Sequence, residues 1–248
     1  MTDWFVPLAA RDGVPLFAFP HAGAGCAQLV GLAKVLAPHG VSLWSANLPG
    51  RQARVSEPPL TDYDTVVRSL ADALTDAVGD RPYGLFGHCG GALLGHGVLR
   101  LLADRGRPLP RHFFVVSYDA PDIAVRPDRV ADLSSDALWT YLTSTGGVAP
   151  RLADDDRMRA LTEPAIRADF AVLAGYRHRR TLPLPVPTTV CFGSRDTGVR
   201  RGALLGWRRQ TTHTPRLRAL DAGHWVLDEA EAELADLVGR AFTEGASA

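Results

Sequence analysis

The chain has 248 residues, 46% of them hydrophobic, and its 27 Lys and Arg balance 27 Asp and Glu. That length suits one domain, 1–248, with a full core and room for an insertion. The charge balance argues against nucleic acid or a polybasic membrane patch as partner.

Cys26, Cys89 and Cys191 are odd in number and widely spaced, with no Cys-x-x-Cys pair. They speak against a disulfide framework or a zinc site, and for a reduced, cytoplasmic setting. The first residues lack the basic start and apolar stretch of a signal peptide, and no run reaches transmembrane length, so a soluble, unprocessed protein is expected. The apolar run 15–20 reads as a buried strand stopped by Pro20, followed by a flexible turn from His21 to Cys26. A helix over 27–36 puts Leu29, Leu32, Val35 and Leu36 on one face, and 41–46 is the next strand. After an ordered loop over 48–59, Thr61 or Asp62 caps a helix carrying Tyr63, Val66, Val67, Leu70, Leu74 and Val78, which Gly79 ends.

Residues 83–94 run from an apolar strand through a cluster of glycines into a helical pattern. This is the layout of a nucleophile elbow, a strained strand-to-helix turn that needs a residue without a side chain two places either side of its centre. Gly87 and Gly91 meet that need around Cys89. The helix start favours negative charge there, on a thiolate or on an oxyanion beside it. The bland alternative is a buried strand cysteine followed by a loose Gly-rich turn.

A further apolar strand covers 112–117. From 123 to 180 strand signals vanish, and helices over 135–143 and 163–176 suggest a lid inserted between late strands. Strands return at 187–193 and 216–220, and an amphipathic helix over 228–242 turns Leu234, Leu237, Val238 and Phe242 to the sheet. This alternation describes an α/β protein, a mainly parallel sheet covered by helices on both faces, with a helical lid insertion over about 123–180.

A thiol nucleophile needs a base, and the base an orienting group. In the α/β-hydrolase order an acid and then a histidine follow the nucleophile, each on a loop after a late strand. Asp196 follows the strand at 187–193 and His224 follows the strand at 216–220, so the order fits. Asp119, in the segment after the 112–117 strand, is a rival acid.

In these features the chain resembles the type II thioesterases, discrete α/β-hydrolases serving polyketide and nonribosomal peptide synthases. The likeness runs from about Leu16 to Leu237. It is carried by Phe19-Pro20-His21-Ala22-Gly23, by Leu48-Pro49-Gly50-Arg51 with Arg54, Glu57, Pro58 and Pro59, by the elbow entry Leu85-Phe86-Gly87-His88, and by Ile166-Arg167-Ala168-Asp169-Phe170 with Tyr176. The resemblance implies that Cys89 is the acylated nucleophile, His224 the general base and Asp196 its orienter. It also implies an oxyanion hole from the Ala22 and Gly90 amides. His21, His88 and Cys26 are candidates for the substrate pocket, although His88 is as readily a residue packed beside the sheet. The implied partner is an acyl or peptidyl carrier protein whose phosphopantetheine arm brings the substrate, with no cofactor or metal bound by a monomeric enzyme. The arginines at 177, 179, 180, 200, 201, 208 and 209 read as solvated surface, although an acidic carrier would be steered toward such a patch.

The chain departs from the family pattern at Cys89, where serine is usual, at Gly90, where a larger residue such as methionine is usual, and at Gly95-His96-Gly97, where a Glu is usual. An acyl group on Cys89 remains a thioester, so two activities stand open: hydrolysis to the free acid, or transfer to a second carrier or an amine. A catalytically dead scaffold fits poorly with the intact Asp196 and His224.

Overall fold

The computed structural model describes residues 4–8, 12–125, 127–148 and 153–244. Among these, one sheet contains β1 (Phe5–Pro7), β2 (Val14–Phe19), β3 (Val41–Ala46), β4 (Gly84–His88), β5 (His112–Val116), β6 (Thr188–Gly193) and β7 (Arg216–Leu220). Their spatial order is β1-β3-β2-β4-β5-β6-β7. The β1 strand pairs antiparallel with β3, and the other pairs are parallel.

The strand residues sort by twos. Phe17, Phe19, Leu85, Phe113 and Val115 face one side of the sheet; Leu16, Ala18, Phe86, Phe114 and Val116 face the other. Both sets are buried, which is why these strands read as continuous apolar runs without alternation. Fully burying a side chain such as Leu or Phe is worth roughly 1.5–3 kcal/mol. A one-residue slip would send each to the wrong helical layer, so the register is firmly specified.

The first face is covered by α2 (Tyr63–Val78) and α3 (Gly90–Asp104), whose Val66, Leu70, Leu74, Leu93 and Leu99 join that core. The second is covered by α1 (Val30–Leu36) and by the helix Glu231–Glu244 through Leu32, Leu36, Leu234, Val238 and Phe242. Between β5 and β6 the chain inserts α4 (Ser135–Ser144) and α5 (Asp156–Gly175). These build a small core of their own from Val130, Leu138, Trp139, Leu142 and Ile166. Next come α6 (Arg201–Leu204) and α7 (Val226–Glu229), making the terminal Glu231–Glu244 helix α8.

Several boundaries differ from the sequence reading for local reasons. The helix expected over 27–36 begins as a 3-10 turn, Cys26–Leu29, before α1. The helix α5 starts at Asp156, seven residues before the expected 163, because the Asp155 carboxylate accepts from the Arg157 and Met158 amides at 3.0 Å. The expected start lay beside Pro164, the residue type that favours a first turn, yet Pro164 lies inside this helix. The last helix is broken at Ala230 into α7 and α8. No expectation covered β1 or α6, which at three and four residues are too short to show a period.

Candidate active site

The chemistry-bearing loops all leave the carboxyl ends of parallel strands, where open α/β sheets place their ligands. Ala22 follows β2, Cys89 follows β4, Ser117 and Asp119 follow β5, Asp196 follows β6 and His224 follows β7.

Cys89 sits at the junction of β4 and α3 with φ 50° and ψ −128°, a strained conformation for a residue with a side chain. The strain is held from both sides. The Cys89 amide donates to the Val116 carbonyl at 2.8 Å, and the Cys89 carbonyl accepts from the Ala92 amide at 2.8 Å. A Cβ on Gly91 would run into the backbone carbonyls of Phe19 and Pro20, so the turn can close against the end of β2 only with glycine there.

His224 Nδ1 donates to Asp196 Oδ2 at 2.8 Å, and Asp196 Oδ1 accepts from the Gly198 amide at 2.8 Å. The Cys89 side chain lies near enough to His224 to act on its titration. Burial by itself would lower the His224 pKa. The hydrogen bond to Asp196, the Cys89 side chain and the negative charge of both outweigh it and raise the value to about 10. Burial pushes Asp196 up, yet the His224 hydrogen bond and charge, with the Gly198 and Val199 amides, hold it below the usual carboxylate range. Asp119 is otherwise engaged: its two oxygens accept from Arg200 N at 3.2 Å and Arg200 Nε at 3.1 Å. Asp196 is therefore the carboxylate brought to His224.

Ala22 and Gly90 line one small cavity of about 20 Å³ together with Gly91, Leu94 and Leu173. Gly90 is the first residue of α3, so its amide has no partner within the helix. Beside this cavity opens a cleft of about 920 Å³ between the 21–28 loop and the helical insertion, walled by Val55, Leu142, Met158, Leu161 and Ile166 among others. The arrangement brings a thiol, an imidazole, a carboxylate, candidate oxyanion donors and a largely apolar groove to one end of the sheet, the groups that acyl-transfer chemistry calls for.

A family model described as "Thioesterase domain" matches residues 14–242. The chain belongs to the thioesterase family. It is 27% identical to the gramicidin S biosynthesis protein GrsT of Aneurinibacillus migulanus, over 96% of this chain and 93% of that one. It is 30% identical to the thioesterase PikA5 of Streptomyces venezuelae, over 89% and 78%. Among solved structures, the type II thioesterase BorB from the borrelidin biosynthetic cluster superposes with a TM-score of 0.86 at 28% identity, covering 96% of this chain and 97% of that one. This thioesterase is thus a thioester hydrolase by family, and its neighbours include type II enzymes.

The three tentative pocket residues of this thioesterase fall in different places. His21 lines the cleft, and its Nδ1 donates to the Ala22 carbonyl at 2.8 Å. Burial above all lowers its pKa to about 4, so the ring is neutral near pH 7. His88 is fully buried on β4, packed among the rings of His21, Trp225 and His224 at 5.6, 5.6 and 6.2 Å, with its pKa driven well down by burial. Cys26 is not in the cleft wall: its Sγ faces the Ala46 carbonyl at 3.7 Å and Asn47 Oδ1 at 3.9 Å, below the end of β3. His96 packs on Trp207 within the core at 5.8 Å. Cys191 is buried, with its thiol pKa pushed up to about 12 by desolvation.

Two groups beside the site escaped the sequence reading. Ser117, at φ 53°, donates from Oγ to the His224 carbonyl at 3.0 Å and so anchors the histidine loop to the end of β5. Trp225 packs its ring edge-on against His21 at 4.7 Å and against His224 at 5.1 Å. A small polar residue ending an apolar strand and an aromatic following the histidine were the only available signals.

Proposed function

We propose that this thioesterase, a single catalytic domain under a helical lid, removes acyl or aminoacyl groups from the phosphopantetheine arm of an acyl or peptidyl carrier protein. The setting is polyketide or nonribosomal peptide assembly, as the names of its relatives suggest. The observation that carries the chemistry is a cysteine strained at the head of α3 beside a histidine that is hydrogen-bonded to the Asp196 carboxylate at 2.8 Å.

His224 holds the proton given up by the Cys89 thiol, as its raised pKa favours, and the sulfur attacks the thioester carbonyl carbon. The Ala22 and Gly90 amides hold the oxyanion of the tetrahedral intermediate. As this collapses, the bond to the pantetheine sulfur breaks and His224 returns the proton to that sulfur. A water, deprotonated by His224, then attacks acyl-Cys89, which releases the free acid and the thiol. Asp196 keeps the proton on Nδ1, so that the other ring nitrogen faces the reacting atoms.

The cysteine favours a second reading. Acyl exchange between a carrier thiol and Cys89 turns one thioester into another and is nearly balanced, so the same intermediate suits transfer to a second carrier or an amine. Cys89→Ser separates the two. A hydrolase keeps a substantial part of its turnover through the serine, which His224 still activates. A transferase loses transfer, because an oxygen ester is the poorer donor to a thiol, while slow hydrolysis survives. The assay loads a carrier with acyl groups, with and without an acceptor carrier, and follows free acid and acylated acceptor by mass spectrometry. Free acid as the sole product from the wild type, whatever thiol or amine is added, excludes the shuttle for those acceptors. Acyl adduct on a peptide containing Cys26 or Cys191 refutes the Cys89 assignment.

A further inference from the structure

Three segments that lie far apart in the chain meet at one buried ion pair. Asp169 projects from α5 and is only 8% exposed, as is Arg51 from the loop before α2. The Arg51 guanidinium grips the carboxylate with both arms, Nη1 to Oδ2 at 2.5 Å and Nη2 to Oδ1 at 2.7 Å. Oδ2 also accepts from the Gly23 amide at 2.7 Å, and Arg51 Nη1 donates to the Ala24 carbonyl at 3.0 Å. The Ala22–Gly23 peptide is consequently pinned at both ends, its carbonyl by His21 Nδ1 and its N–H by Asp169.

That peptide directly follows the Ala22 amide assigned to the oxyanion. One turn further along α5, Leu173 rests on Gly90, where a Cβ would come within 2.6 Å of Leu173 Cδ1. Both donor segments thus lean on the same helix, which also supplies Met158, Leu161 and Ile166 to the cleft wall.

We infer that Asp169, gripped by Arg51, is a positioning residue that holds the oxyanion loop in register with Cys89, so that seating of α5 and assembly of the oxyanion hole are one event. A bidentate charged pair out of water gives up much when separated, so moving α5 away from the loop is costly and the gripped arrangement is strongly favoured. An acyl chain in the cleft touches α5 and favours the gripped state, which couples occupancy of the groove to the catalytic competence of the loop. This inference rests on the assignment of Cys89 as nucleophile and Ala22 as donor.

The test uses Asp169→Asn and two reactions of Cys89. Hydrolysis of octanoyl-N-acetylcysteamine requires the oxyanion hole, whereas alkylation by iodoacetamide is a displacement at saturated carbon and requires only the reactive sulfur. In Asp169→Asn the amide NH₂ opposes one arm of Arg51, so the grip is lost. Turnover should fall about 10–100-fold, mostly in kcat, part of the 10²–10³-fold that losing one oxyanion donor costs. Alkylation of Cys89 should stay within about twofold of wild type, since it follows thiolate access alone. Unchanged kcat, or alkylation that falls in step with kcat, overturns the inference. If Asp169→Asn does not fold, Arg51→Gln carries the test with the same split between the two reactions. Wild-type protein that is alkylated at Cys89 but neither hydrolyses the octanoyl thioester nor passes its acyl group to an added thiol refutes the catalytic reading instead.

Discussion

Asp196→Asn changes one atom, and the surroundings dictate how the new side chain must sit. Asp196 Oδ1 accepts from the Gly198 amide at 2.8 Å, while Oδ2 faces His224 Nδ1, also at 2.8 Å. An asparagine can offer only one acceptor. Turning its NH₂ toward Gly198 would set donor against donor at a backbone that cannot move, so the carbonyl stays there and the NH₂ meets His224. The imidazole must then accept at Nδ1 and carry its proton on the nitrogen facing Cys89, the wrong tautomer for taking a proton from sulfur. The same substitution in a serine-protease triad costs about 10⁴-fold. Allowing for the easier ionisation of a thiol, the expected loss here is about 10³–10⁴-fold, roughly 4–5.5 kcal/mol of barrier. The assay is turnover of a carrier-bound acyl thioester at neutral pH, run beside Asp119→Asn, which disturbs the contact with Arg200 and should cost little activity. An Asp196→Asn enzyme that keeps a tenth of wild-type turnover, or one less impaired than Asp119→Asn, would refute the reasoning.

Cys89→Ala should fold normally, because the elbow side chain contributes little packing, and should yield no acyl adduct by intact mass. His224→Ala should lose general-base catalysis, about 10²–10⁴-fold in kcat, with circular dichroism unchanged. The His224 pKa is about 10 in the folded protein against 6.5 for an ordinary histidine. Because the folded value is the raised one, the stability it contributes is complete below pH 6.5 and is lost as pH rises through 10. Thermal melts should show that decline, and Asp196→Asn should flatten it. Gly91→Ala sets a methyl against the Phe19 and Pro20 carbonyls, and urea unfolding should register a loss of at least about 1–3 kcal/mol.

The layered α/β architecture was legible because β2, β4 and β5 are buried on both faces and so appear as unbroken apolar runs, while α2 keeps a clean stripe from Tyr63 to Val78. Cys89, Asp196 and His224 were legible for a related reason: each stands just beyond a strand end, and strand ends are where the pattern changes. What stayed hidden depends on contacts without local periodicity. Cys26 sits one residue from Gly25 and Ala27 of the cleft wall, yet its side chain turns to the end of β3, a direction that only the 3-10 turn at Cys26–Leu29 decides. Arg51 and Asp169 stood out as parts of two separate segments. Their pairing spans 118 residues and follows from where the insertion folds back.

The departures from the family pattern at the elbow are coupled through that insertion. Taken alone, Gly90 costs helix propensity at the first position of α3 and removes the larger side chain usual after the nucleophile. In the fold, Leu173 of α5 occupies that space, close enough that a Cβ on residue 90 would be displaced by it. Bulk that would otherwise belong to the elbow, and move with it, belongs here to the helix that walls the cleft and that pairs with Arg51 and the Gly23 amide through Asp169. With serine, an acyl-enzyme falls to the lower energy of an oxygen ester, and the first step runs downhill whatever the lid does. On Cys89 an acyl group would stay at the energy of the incoming thioester, so the chemistry itself would give little commitment to forward reaction. Discrimination would then come from binding, and if Asp169 holds the Ala22 loop as inferred it falls where α5, Arg51 and that loop meet, since an acyl chain resting on α5 there favours the aligned loop.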